Sequence, residues 1–194
     1  MSTLIPQTKR RTLVNQLNIA IVVGSLRKES FNRQLADALV KQFPADFKAQ
    51  FIRIDDLPLY NQDDDGSPAP QVTRLREEVK AADAVLFVTP EYNRAIPGVL
   101  KNAIDHASRP WGQSVWKGKP AAVIGVSVGA IGTALSQQHL RNVLAYLDMP
   151  TLGQPEMFLQ WKEGLVSDGA IGPDSRQFVQ GFVDAFAAWV KKHA

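Results

Sequence analysis

Glu91, Tyr92 and Asn93 sit in a loop that directly follows the apolar run Ala84-Val85-Leu86-Phe87-Val88 and restarts as a helix at Pro97. A buried strand that opens into such a loop is built like a ligand site, because open α/β sheets bind their ligands at the carboxyl ends of parallel strands. A second strand-to-helix turn, Gly24-Ser25-Leu26-Arg27-Lys28-Glu29-Ser30-Phe31-Asn32, has the composition of a phosphate site. Gly24 lets the chain bend, Ser25 and Ser30 supply hydroxyls, and Arg27 offers a planar donor fork suited to phosphate. Ser30 is placed to cap a helix starting near Phe31, and the free N–H groups of a helix start favour an anion. The two turns together point to a bound nucleotide.

A third segment, Gly125-Val126-Ser127-Val128-Gly129, admits two readings. It matches the Gly-x-Ser-x-Gly nucleophile elbow and lies between a strand and a helix, where that motif belongs. A serine hydrolase then needs a rigidly held base, and only His139 and His193 follow. His139 lies in the helix just after the serine and His193 is the penultimate residue, so neither suits that role. The other reading is that Ser127, Gly129 and Gly132 stay small where a flat ring approaches the backbone, a usual place for glycine. Two other fingerprints fail: no Gly-x-Gly-x-x-Gly follows the first strand, and the Walker-like stretch Gly112 to Lys119 ends on Pro120 where Ser or Thr must bind magnesium.

The elements that must position these residues are legible in the apolar periodicity. Asn18 to Val23 reads as a parallel strand buried on both faces. Phe31, Leu35, Leu39 and Ala36, Val40, Phe43 fall at helical spacing until Pro44 ends the run. Gln50 to Ile54 reads as a second strand, followed by a loop from Asp55 to Pro70 whose Asp63-Asp64-Asp65-Gly66 cluster lacks the other ligand positions of a calcium loop. Val72 to Ala81, Pro97 to Ala107 and Thr133 to Leu147 read as helices. Ala84 to Val88 and Ala121 to Ser127 read as strands, with a short fifth strand within Thr151 to Leu159. Ser175 to Lys192 reads as a last helix whose Phe178, Phe182, Phe186 and Trp189 form one core-facing stripe. Such alternation implies a parallel sheet covered by helices on both faces.

Bulk properties narrow the function. The 194 residues suffice for one domain, 18–194, after an N-terminal tail over 1–17 that carries Lys9-Arg10-Arg11. The chain has no cysteine, hence no disulfide, thiolate nucleophile or cysteine-held metal, and no metal site is expected. No apolar run reaches the ~18 residues of a membrane span, and no signal-like segment is seen, so a cytoplasmic location is expected. The 22 basic and 19 acidic residues are scattered without a basic, aromatic-lined stripe, which argues against nucleic acid.

Taken together, Gly24-Ser25-x-Arg27-x-x-Ser30-x-Asn32, Pro90-Glu91-Tyr92-Asn93-x-x-x-Pro97-Gly98-x-Leu100-Lys101-Asn102-Ala103-Ile104-Asp105 and Ser127-x-Gly129-x-x-Gly132 resemble the NAD(P)H-dependent FMN reductases, in the branch of bacterial quinone and chromate reductases. The resemblance runs from about Asn18 to Pro155. It implies an α/β flavodoxin-like three-layer sandwich with a five-stranded parallel sheet of order 2-1-3-4-5, non-covalent FMN, and a homodimer or homotetramer. By motif match, Ser25, Arg27, Ser30 and Asn32, with Phe31 among them, would hold the ribityl phosphate. Pro90, Glu91, Tyr92 and Asn93 would follow the ring, and Ser127 and Gly129 would lie close to it.

The flavin then carries the electrons, and no catalytic side chain is expected. NAD(P)H would give a hydride to flavin N5, and a small-molecule acceptor (quinone, flavin or an oxidant such as chromate) would take it from the same face. Arg94 stands where a smaller or aromatic residue is usual. Arg94, Lys101 and Arg109 are candidates to attract a nicotinamide phosphate or an anionic acceptor, though Lys101 and Asp105 also have the spacing of a simple helical pair. His106 and Trp111 read as packing or subunit-contact residues. The rival from another class is a flavodoxin-type electron carrier that does not oxidise NAD(P)H itself; the pI of about 9.2 argues against the acidic surface of such a carrier.

Overall fold

A computed structural model of the chain describes residues 16–193. The tail expected over 1–17, with Lys9-Arg10-Arg11, lies almost wholly outside the described residues. Leu17 already belongs to the first strand, β1 (Leu17–Val23). With β2 (Phe47–Phe51), β3 (Ala84–Val88), β4 (Ala121–Ser127) and β5 (Phe158–Gln160) it forms one sheet in the order β2-β1-β3-β4-β5. Every pairing in it is parallel.

Strand alternation divides the core into two layers. Ile19, Ile21, Leu86 and Ile124 point to the side covered by α1 (Phe31–Leu39) and α5 (Pro173–His193). Ala20, Val22, Phe87 and Val123 point to the side covered by α2 (Pro70–Ala81), α3 (Gly98–Ala107) and α4 (Ala134–Tyr146). Because β3 is central, all five of its residues are buried, which is why it reads as an uninterrupted apolar run. Trp116 completes the second layer, fully buried and donating its indole N–H to the carbonyl of Ile104 at 3.0 Å.

Four expectations shift. The second strand is Phe47–Phe51 and not Gln50 to Ile54, because its register is set by pairing Leu17 with Phe47 through Ile21 with Phe51. Lys48 and Gln50 face solvent there, as befits an edge strand. The strand expected within Thr151 to Leu159 shrinks to Phe158–Gln160, plus a single bridge from Thr151 to Ala121. Pro155 lies between the two pieces and has no N–H to give a ladder.

The last helix starts at Pro173, and its inward face is Val179, Phe182, Val183, Phe186 and Val190. Phe178 belongs to the neighbouring flank and is 59% exposed, so it is not part of the core stripe. Trp189 is half-buried and donates to the carbonyl of Pro150 at 2.9 Å. Finally, a small antiparallel hairpin, β6 (Val166–Ser167) and β7 (Ala170–Ile171), precedes α5. Its turn is Asp168-Gly169, both with positive φ, the two-residue type I′ geometry that Asp-Gly favours. Asp63 and Asp64 lie exposed in a single turn of 3-10 helix over Gln62–Asp64, with half-buried Asp65 after it and Asn61 Oδ1 accepting the N–H of Asp63.

Candidate functional site

Three strand-to-helix connections meet at the carboxyl edge of the sheet, after β1, β3 and β4. The order β2-β1-β3-β4-β5 makes the β1/β3 boundary its switch point, where chain connections leave in opposite directions and open a crevice.

In the β1–α1 turn the N–H of Gly24 donates to Val88 O at 2.9 Å, tying the turn to β3. A side chain at Gly24 would meet Leu100 Cδ2 at 3.2 Å and Pro90 Cδ at 3.3 Å, so glycine lets the first and second loops touch. Ser30 caps α1 as expected, its buried Oγ accepting the N–H of Arg33 at 3.2 Å. The N–H groups of Phe31 and Asn32, in the first turn, have no partner inside the helix. Asn32 behaves differently from the expectation of a direct anion contact. It is 3% exposed, donates from Nδ2 to Val126 O at 2.9 Å, and accepts the N–H of Val126 on Oδ1 at 3.0 Å. Its amide is engaged by β4 and latches the turn to that strand.

Arg27 is exposed and lies over Phe31, its guanidinium carbon 4.3 Å from the ring centroid, while donating to the carbonyl of Glu29. Phe31 in turn stacks on Trp161, with centroids 4.3 Å apart and planes 17° from parallel. A groove of about 320 Å³ opens beside this turn, lined among others by Ser25, Arg27, Arg33, Phe51 and Asp55. A hydrogen bond from Arg53 holds the Asp55 carboxyl below the usual carboxylate range.

The second loop is fixed from below and from the side. Thr89 is fully buried, its hydroxyl 2.8 Å from Pro90 O and 3.2 Å from the hydroxyl of Ser136. The side chain of Glu91 does not face the crevice for its own chemistry. Its Oε2 accepts the N–H groups of Leu135 at 3.0 Å and Ser136 at 3.1 Å, capping α4 from a distant loop. Tyr92 and Ala95 then exchange two backbone hydrogen bonds, of 3.1 and 3.0 Å, around Asn93 and Arg94. Asn93 has φ 52° and Arg94 φ 63°, a type I′ turn made without glycine. Tyr92, Asn93 and Arg94 are all exposed at its tip.

The third connection explains why its residues are small. A Cβ on Gly125 would lie 2.0 Å from Thr89 O, and one on Gly132 would lie 2.6 to 2.9 Å from the backbone of Phe158 and Leu159. Ser127 Oγ donates to the carbonyl of Gly132 at 2.6 Å. His139 is exposed on α4, and His193 Nδ1 is held 2.8 Å from Trp189 O. Neither histidine partners Ser127, so the nucleophile-elbow reading is overturned.

Arg109 does not join the other site residues within this chain. It follows α3, whose ten residues carry it about 15 Å from the Pro97 end. Its guanidinium faces Tyr60 and Trp111, at 5.9 and 5.6 Å from their centroids. Lys101 pairs with Asp105 at 2.7 Å, the plain helical pair foreseen from spacing. His106 is buried, edge-on to Tyr60 and 2.9 Å from Pro58 O through Nε2, which is a packing role. Two participants escape sequence reading. Thr89 looks like the last residue of an apolar strand, and Trp161 follows a strand too short to show periodicity.

A doubly wound sheet with a crevice at its switch point, a capped phosphate-type turn and two glycine-relieved loops defines a flavodoxin-like α/β protein. The family model for NADPH-dependent FMN reductase matches residues 17–162. The chain is 55% identical over 178 residues to a 2-hydroxy-1,4-benzoquinone reductase of Burkholderia sp., covering 90% of this chain and 97% of that protein. It is 51% identical over 176 residues to a quinone reductase of Pseudomonas putida, covering 90% and 95%. Among solved structures it is similar to FerB, a flavoenzyme NAD(P)H:(acceptor) oxidoreductase from Paracoccus denitrificans, with TM-score 0.88, 46% identity and coverage of 91% and 98%. The chain belongs to the NADPH-dependent FMN reductase family. It is an oxidoreductase whose cofactor is FMN and whose electron donor is NAD(P)H.

Proposed function

We propose that the chain reduces quinones by two electrons, with FMN seated at the β1/β3 crevice. The observation that carries this reading is the mutual latching of the three loops there: Gly24 on Val88, Asn32 on Val126, and Glu91 on Leu135 and Ser136. The donor set fits the cofactor. The α1 start, Ser25, Ser30 and Arg27 suit its phosphate, and the side chains that Gly125 and Gly132 lack leave the third loop drawn close to its neighbours. FMN held there would supply two-electron chemistry, taking a hydride from NAD(P)H and passing it, with a proton, to a quinone to give the hydroquinone.

The protein's share is to bind, orient and screen. Tyr92, Asn93 and their turn would border the ring, and backbone N–H groups of this loop and of the Gly129 turn would meet charge on it. Stacking donor and acceptor in turn on one face supplies the entropic advantage of a held geometry. Arg94, at the exposed tip, attracts anionic acceptors or a nicotinamide phosphate. The 2-hydroxyquinone in the name of the Burkholderia relative supports an acidic quinone as substrate. Chromate and free flavins are further acceptors of the same open face.

Exposed Trp111 and Tyr146 border a groove of about 630 Å³ between α3 and α4, whose lining also includes Ile104, Val143 and Leu147. Contiguous apolar exposure of this kind supports self-association as a dimer or tetramer, and Arg109 borders the same groove. No helix among the described residues is long and apolar enough to cross a membrane. The lack of cysteine suits a reducing cytoplasm.

The test is the visible spectrum of the purified protein without oxygen. A yellow protein that bleaches on NADPH and regains colour on adding a quinone is the expected result. A yellow protein indifferent to NADPH and NADH would make it an electron carrier.

A further inference from the structure

The geometry points to Trp161 as a positioning residue for the cofactor phosphate, acting through Phe31 on Arg27. The proposal rests on the FMN reading above and deepens it.

Arg27 is exposed, and a free arginine side chain at the surface samples many rotamers whose freedom is lost on binding. Here one face of the guanidinium is already covered. It lies 4.3 Å above Phe31, and Phe31 lies 4.3 Å above Trp161 at 17°. The three planar groups form one column. Cation–π attraction favours the upper contact and aromatic stacking the lower.

The base of the column is fixed independently. The N–H of Trp161 donates to Ser127 O at 2.7 Å, continuing the β4–β5 pairing that ends at Ser127 and Gln160. Ser127 is itself braced by its hydroxyl on Gly132 O. The column therefore runs from the rigid end of β5 to the phosphate turn, and it aims Arg27 before any anion arrives. Phe31 alone, half-buried at the first position of α1, would present one ring with nothing behind it.

The experiment measures binding of FMN and of riboflavin, which lacks the phosphate, to the apo-protein by flavin fluorescence quenching. Trp161→Ala is expected to weaken FMN roughly three- to thirty-fold, the range of one stacking and one cation–π contact. Riboflavin binding should stay unchanged. Trp161→Phe should restore FMN affinity, whereas Trp161→Leu, which keeps apolar bulk without a ring face, should not. In an Arg27→Ala background, Trp161→Ala should have no further effect on FMN.

Equal losses for FMN and riboflavin would overturn the proposal by making Trp161 a packing residue. Full recovery by Trp161→Leu, or additivity with Arg27→Ala, would overturn it as well. A wild-type protein that bound neither flavin would sink the cofactor reading itself, an outcome visible before any variant is made.

Discussion

Glu91 caps helix α4 through Leu135, whose N–H lies 3.0 Å from Glu91 Oε2 although 44 residues separate them in sequence. The same oxygen takes the N–H of Ser136 at 3.1 Å, so one carboxylate satisfies two of the donors that a helix start leaves open. Thr133, the residue at the cap position, makes no side-chain capping bond of its own. The loop that borders the crevice is thereby fastened to a helix on the far side of β4.

Replacing Glu91 by Ala removes both bonds and the favourable charge at the helix start. A loss of about 1–2 kcal/mol follows from cap and dipole effects together. Glu91→Gln keeps an acceptor without the charge and should lose about half as much. Urea denaturation checks both, and FMN release should rise with Glu91→Ala because the loop loses its anchor.

Ser127→Ala loses a neutral hydrogen bond to Gly132, worth about 1 kcal/mol. NADPH-driven quinone reduction should persist nearly in full. A collapse of turnover with the fold intact would restore a chemical role to this hydroxyl.

Arg94→Ala should raise KM for an acidic hydroxyquinone several-fold while leaving a neutral quinone nearly unaffected. The effect should fade as salt is raised, because an exposed charge is screened within about 10 Å at 0.1 M ionic strength. Equal effects on both quinones would remove Arg94 from acceptor choice.

Lys191 lies 2.7 Å from Asp46 and joins the end of α5 to the segment before β2. Its hydrogen bond, the largest influence on that carboxyl, holds Asp46 below the ordinary carboxylate value. A lowered native pKa stabilises the fold above the unfolded value of about 3.9 and loses that effect as pH falls through the native value. Asp46→Asn should therefore lower Tm near neutral pH, and the gap to wild type should close as the pH drops below about 4. A gap constant across that range would mean the pair contributes nothing through charge.

The buried strands and the three turns were legible because each rests on local rules: an all-apolar β3, a serine before an apolar helical repeat, glycines after strands. What stayed hidden depended on distant partners. Nothing near Glu91 says that its carboxylate belongs to α4, and nothing near Asn32 says that its amide faces Val126. Phe178 lies outside the core stripe, and aromatic spacing on a 21-residue helix does not reveal which flank the sheet covers. The Asp168-Gly169 hairpin, by contrast, rests on a local signal, since Asp-Gly favours the two-residue turn with both φ positive.

Gly125 leaves a wider lesson. Its neighbour in space is the carbonyl of Thr89, 2.0 Å from where a methyl group would stand, so Gly125→Ala should be among the least tolerated changes in the chain. Ser127 and Gly132 are held by backbone neighbours in the same way. A saturation-mutagenesis map would light up this stretch as brightly as an enzyme's reacting centre. Its letters would spell a hydrolase, while the intolerance would record only how closely two neighbouring backbone segments have been drawn together.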